Sequence, residues 1–181
     1  STFYMPQHPA WVDAFNAAKP ADRYYKAEWK AVLPDAAYAG SLPDNQPWFG
    51  PRGGKLPMLL AGAANDDKPT QAFFAALLRS PSVDEMSLAF GRAAIAGEQL
   101  GQDDAPDILS ISLSGHDYVN HTWSAESRLS HDHLLHLDRM LQAFFQHLDA
   151  TVGKDNYIAM LTADHGFTQN PEHSKSQGLD A

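Results

Sequence analysis

The chain contains no cysteine. Disulfide bonds and thiolate metal ligands are excluded with it, so any metal must rest on His, Asp or Glu. That donor set suits zinc as well as manganese or magnesium. Long apolar runs are also missing. None approaches the ~20 residues that a membrane-spanning helix needs, and no membrane partner is expected. Lysine and arginine are scarce, 13 against 22 acidic residues, for a formal net charge of −9. Non-specific nucleic-acid binding rests on cations meeting phosphates, so no nucleic-acid partner is expected either. No basic stretch precedes an apolar run at the amino terminus, and no signal peptide is visible. An initiator methionine is lacking too, so the chain reads as processed or as a piece of a longer one. What is present is 181 residues, 44% of them hydrophobic, enough for one globular domain with a core. No feature of the sequence points to an oligomeric state.

Residues 8–18 predict a short helix with Pro9 in its first turn and Trp11, Val12 and Phe15 on its buried side. Residues 21–33 predict a second helix, with Tyr25, Trp29 and Leu33 four apart. From 34 to 57 the density of Pro and Gly predicts a long loop, and loops of that length are commonly functional or form a cap. Helices are expected again over 69–79 and 83–100, with Gly101 where a C-cap glycine belongs. Residues 107–114 predict a strand, although its alternating serines are unlike a fully buried parallel strand. A long helix follows over 126–150, with Leu134, Leu137, Leu141, Phe144, Phe145 and Leu148 on one broad face. Residues 157–163 predict another strand. Strand, long helix, strand makes a right-handed βαβ unit, whose two strands run parallel as neighbours. The expected class is therefore α/β. Residues 1–63 form a helical and loop portion with a cap, and 64–181 an α/β core carrying that unit.

In open α/β sheets ligands bind beyond the carboxyl ends of the strands. Both predicted strands end in residues able to hold a metal. The first leads into Asp117 and His121, spaced to share one side of a helical turn. The second leads into Asp164 and His165, followed by Gly166, which lets the backbone turn sharply. Two cations about 4 Å apart suit a transferring phosphoryl group, one sharpening the nucleophile and the other stabilising the leaving oxygen. Each pair alone has a bland reading. Asp-His-Gly also makes a turn with a capping Asp, and Asp-x-x-x-His also merely supports a helix. His116, His131, His133, His136, His147 and His173 read mostly as solvated surface, with two or three available as partners behind metal ligands. Ser112 and Ser114 read as sheet packing rather than nucleophiles. Trp11, Trp29, Trp48 and Trp123 read as core or cap packing.

At these residues a resemblance becomes specific. Ile111-Ser-Leu-Ser-Gly-His-Asp-Tyr-Val-Asn-His121 resembles the S-x-S-x-x-D-x-x-G-H segment of the alkaline phosphatase superfamily. Leu161-Thr-Ala-Asp-His-Gly166 resembles that superfamily's T-A-D-H-G segment. The nearest branch is the bacterial alkaline phosphatases with a threonine nucleophile, which adjoin the nucleotide pyrophosphatase/phosphodiesterases. The opening Ser1-Thr-Phe-Tyr-Met5, Trp11-Val-Asp-Ala-Phe-Asn16 and Glu98-Gln-Leu-Gly101 are similar to that branch as well.

The resemblance implies an α/β/α sandwich and a small-molecule phosphoester substrate. It implies hydrolysis of phosphomonoesters, with diesterase activity beside it, and export to the periplasm. It also implies two divalent ions, zinc foremost: Asp117 and His121 for one, Asp164 and His165 for the other. Two departures stand out. Asn120 replaces the usual Gly, and Ser124-Ala125 replaces a frequent Gly-Pro. In the family the threonine nucleophile, the first metal-binding Asp and the phosphate-contacting Lys/Arg element lie upstream of what is here Ser1. The last His ligand lies beyond Ala181. No catalytic nucleophile is therefore expected in this chain, and little turnover from it alone. The alternatives are a sister sulfatase or phosphonate hydrolase, or a metal-free structural core without activity.

Overall fold

The computed structural model describes residues 3–62 and 65–179. The expected boundary between residues 63 and 64 lies outside the described residues, as do Ser1 and Thr2 of the opening motif. Helix α1 (Ala10–Ala17) starts just after Pro9, and Trp11 and Phe15 pack against Phe90 with ring centroids 5.1 and 5.0 Å apart. Helices α2 (Gln71–Leu77) and α3 (Pro81–Gly97) follow where helical spacing placed them. Pro81 opens α3 at the position where its missing N–H costs nothing.

The helix expected over 21–33 does not form. One 3₁₀ turn (Asp22–Tyr24) gives way to extended backbone at Tyr25, and Lys26 follows at a φ of 61°, which no right-handed helix tolerates. The chain then extends as β1 (Glu28–Trp29), paired antiparallel with β2 (Met58–Leu59) in a two-stranded sheet. The four-residue spacing of Tyr25, Trp29 and Leu33 was helical by coincidence. Trp29 instead enters a core with Phe49, Leu56, Val119, Trp123 and Leu129. Each such side chain contributes about 1.5–3 kcal/mol on full burial, so this cluster fixes the long Pro/Gly segment against the carboxyl-terminal half.

Helix α4 (Gly115–Trp123) and helix α5 (Arg128–Leu148) form the centre of that half. Ser127 caps α5 by accepting the Ser130 amide at 3.1 Å. A single wide turn (Asp149–Gly153) follows α5, and Gly153 ends it at a φ of 100°. Short helix α6 (Pro171–Ser176) starts at Asn170, which caps the His173 amide.

Neither 107–114 nor 157–163 is a strand. Among the described residues no ladder bond joins them to each other or to anything else. The first keeps the alternation of a strand. Ile111 and Leu113 pack on Leu88, Ile95 and Phe144, while Ile108 is 93% exposed. The fit is close: a Cβ on Gly91 of α3 would come within 2.6 Å of Ile111. The second is bare, with Ile158, Met160 and Leu161 all more than four-fifths exposed. A cleft of about 1080 Å³ is lined by residues of both segments, among them Ile111, Leu113, Phe144, Tyr157 and Ala159. Neighbouring strands stand about 4.8 Å apart and leave no room for such a cleft. The expected parallel pairing is thus absent. The apolar runs reflect a preference for burial in a sheet, but a ladder also needs a neighbouring backbone at hydrogen-bonding distance.

Candidate active site

The start of α4 is held by buried groups from both flanking helices. Asp84 of α3 and His133 of α5 are fully buried. Asp84 Oδ1 accepts the Gly115 amide at 2.9 Å, and Asp84 Oδ2 lies 3.3 Å from His133 Nε2. Burial pushes the Asp84 carboxyl up to about 6, only partly countered by the Gly115 amide. Burial holds the His133 imidazole down at about 3, reinforced by His116 and His136. At neutral pH the pair is a carboxylate beside a neutral imidazole. His116 lies behind them, its Nε2 2.9 Å from Ser130 Oγ, and burial lowers its proton affinity also.

The reading of these histidines as solvated surface fails for His133, which is buried, and His116, His131, His136, His147 and His173 are all half-buried. In H-D-H the helical period turns the middle and last residues inward, which a count of polar residues does not register. Asp84 was not singled out at all. An acidic residue in the first turn of a helix is adequately explained by the helix dipole, so the sequence offered no signal for its second role.

Asp132, beside His133, anchors the amino-terminal segment. It is fully buried and accepts from Trp29 Nε1 at 2.6 Å, the Val32 amide at 2.7 Å and Tyr38 Oη at 2.5 Å. Burial alone would raise its carboxyl. The bonds from His136, Tyr38, Val32 and Trp29 outweigh that and hold it below the usual range.

From this base α4 projects Asp117 and His121, one turn apart, with Asp117 Oδ1 3.4 Å from His121 Nε2. The 164–166 turn brings His165 to the same place, its Nε2 3.6 Å from Asp117 Oδ1. Phe167 lies against both imidazoles, with centroids 5.0 Å from His121 and 5.4 Å from His165. Asp164 stands at the rim. Its side chain is 92% exposed, and its contacts are to His165, through the amide at 3.1 Å and Nε2 at 3.9 Å. The Gly166 carbonyl on Nδ1, with Asp164 nearby, raises the His165 imidazole.

Of the four residues singled out from the sequence, Asp117, His121 and His165 come together, while Asp164 adjoins only His165. Asp117 Oδ1 is itself buried, has no hydrogen-bond partner and faces two imidazole nitrogens. A carboxylate oxygen left in that state costs a few kcal/mol unless a cation or donor meets it. Its surroundings, two imidazoles and a second carboxylate, have the chemistry of a divalent-ion site. Among the described residues no three His, Asp or Glu side chains are spaced to hold an ion, and the Asp164 side chain is 92% exposed. Ser112 and Ser114 are exposed and 3.2 Å from each other.

The chain is 37% identical over 175 residues to the alkaline phosphatase PhoV of Synechococcus elongatus, covering 94% of this chain and 31% of that protein. It is 36% identical over 166 residues to the alkaline phosphatase PafA of Elizabethkingia meningoseptica, covering 92% and 30%. A Myroides odoratus protein named a calcium-transporting ATPase is 34% identical over 180 residues, covering 98% and 32%. The chain thus spans about a third of the length of these relatives.

A crystal structure of PafA superposes with a TM-score of 0.82 at 30% identity, covering 98% of this chain and 34% of that one. The fold is that of the alkaline phosphatases, an α/β class, represented within these residues mainly by its helices. The model of the type I phosphodiesterase / nucleotide pyrophosphatase family matches residues 4–180. By the length of that match, this chain is a member of the type I phosphodiesterase / nucleotide pyrophosphatase family.

Proposed function

We propose that this chain is the part of a metal-dependent phosphoester hydrolase that presents Asp117, His121, Asp164 and His165 to two divalent ions, zinc foremost. The observation that carries the reading is the buried Asp117 Oδ1, which has no aligned hydrogen bond and lies 3.4 Å from His121 Nε2 and 3.6 Å from His165 Nε2. Asp117 and His121 serve one ion, Asp164 and His165 the other. Ions bound there would neutralise charge on the phosphoryl oxygens and on the departing oxygen. The chain's own contribution is geometric. Helix α4 fixes Asp117 and His121, Phe167 limits the swing of both imidazoles, and Asp117 keeps His165 turned toward α4.

The substrate is a small phosphomonoester, with diesters as a second class, and the nucleophile comes from residues outside 1–181. Turnover by the isolated chain is therefore negligible. Export to the periplasm belongs to the same reading, and fractionation of cells making the full-length protein tests it. For the activity, rates on nitrophenyl phosphate and bis-nitrophenyl phosphate are compared for the full-length protein, its Asp117→Ala and Asp164→Ala variants, and the isolated chain. The reading requires hydrolysis by the full-length protein, lost in both variants and near zero in the isolated chain. Hydrolysis unaffected by either substitution would refute it.

A further inference from the structure

We propose that Asp84 is a positioning residue for the reaction: through the Gly115 amide, with His133 packed beside it, it fixes where α4 begins and so where Asp117 and His121 lie. This inference rests on the proposed function of those two residues.

The start of a helix leaves backbone amides without partners. α4 has no capping side chain of its own, since Ser114, which precedes it, makes no capping bond. The acceptor comes instead from another helix, as Asp84 Oδ1 at 2.9 Å from the Gly115 nitrogen. A carboxylate there also suits the positive end of the helix. Gly115 is pressed against its neighbours. A Cβ on it would come within 2.7 Å of Asp84 Oδ2, 2.8 Å of Val83 Cγ1 and 2.9 Å of His133 Nε2. The first residue of α4 is therefore located by α3 on one side and α5 on the other, two residues before Asp117.

Stability alone accounts poorly for this arrangement. A fully buried carboxylate with one well-aligned hydrogen bond is costly, and an apolar side chain of similar size would commonly be no worse for the fold. Asp84 Oδ2 and both His133 ring nitrogens lack any aligned hydrogen bond. What the carboxylate supplies that an apolar residue cannot is a directed acceptor for one particular amide.

The test uses the full-length protein. Asp84→Ala removes the acceptor, Asp84→Asn keeps an oxygen at the same place, and Gly115→Ala displaces the start of α4 while leaving Asp84 intact. Zinc affinity is read by competition with a chromogenic chelator, and kcat and KM on nitrophenyl phosphate. Asp84→Ala and Gly115→Ala are expected to weaken zinc binding about 10–100-fold. They lower kcat by a comparable factor, with KM little changed and an unaltered far-ultraviolet spectrum. Asp84→Asn is expected to stay within about threefold of the parent on both readings, because its oxygen still meets the amide.

Equal defects in Asp84→Ala and Asp84→Asn would overturn the proposal, as would parental zinc affinity in a folded Asp84→Ala. If Asp84→Ala does not fold, Gly115→Ala with parental zinc affinity and kcat overturns it equally. Asp117→Ala separates the two levels. If Asp117→Ala is inactive while the Asp84 and Gly115 variants behave as the parent, the function stands and this inference falls. If Asp117→Ala is fully active, the proposed function itself is wrong.

Discussion

Replacing Asp132 by alanine is the sharpest test of how the amino-terminal segment is held. The side chain is fully buried, and three donors converge on it from a stretch that forms no long helix: Trp29 Nε1, the Val32 amide and Tyr38 Oη. Trp29 and Tyr38 are each only 4% exposed, so water cannot readily replace the lost acceptor. A hydrogen bond to a charged group is worth about 1.5–3 kcal/mol, and the three together set an upper bound well above the net effect. Relief of the buried charge offsets part of the loss. Removing one side of such a buried arrangement costs about 3–5 kcal/mol, and we expect Asp132→Ala to fall there. Asp132→Asn keeps an acceptor for Val32 and Tyr38 but turns an NH₂ toward the indole N–H. Its cost should be about half as large. Urea unfolding followed by tryptophan emission measures both, since Trp29 is among the buried reporters. A loss below about 1 kcal/mol for Asp132→Ala would refute the clamp, because it would mean that the donors find other partners at no cost.

Three further outcomes follow from the same packing. Ser127→Ala removes the cap of α5 and should cost about 1 kcal/mol in the same unfolding experiment. The buried Asp84–His133 pair gives an acid-side signature. His133, lowered to about 3, contributes stability that is present above its ordinary value of 6.5 and lost as pH falls toward 3. Asp84, raised to about 6, works in the opposite sense: its contribution is present below 3.8 and lost as pH rises through about 6. The two offset each other between about pH 6 and 4, even with His116, His136 and Asp132 facing the pair. Asp84→Asn should therefore turn a shallow acid loss of stability into a steady decline from pH 6.5 downward, seen in melting temperature against pH. Finally, a chelator should abolish hydrolysis by the full-length protein, and zinc should restore it.

Much of the helical half was legible in the sequence. The periodicity of 128–148 and the one-turn spacing of Asp117 and His121 are local properties, and helices are local structures. The 21–33 stretch was misread because its periodicity was real but its packing was not. Lys26 takes a positive φ, and Trp29 pairs with Met58, 29 positions away along the chain. The segments 107–114 and 157–163 were misread for a related reason. Their composition records a preference for burial in a sheet, while a strand exists only where another backbone pairs with it. The site divides the same way. Asp117, His121, Asp164 and His165 carry their chemistry in their side chains and turn spacing. Asp84 and His133 act through a contact between three helices, and nothing in the neighbouring sequence marks it.

The central question is whether these four side chains hold metal. Elemental analysis of the purified full-length protein, after dialysis against zinc and removal of the unbound ion, decides it. Two zinc ions per chain are predicted for the parent, with one lost in an Asp117→Ala, His121→Ala double variant and the other in an Asp164→Ala, His165→Ala double variant. The same zinc content in all three proteins would contradict the site.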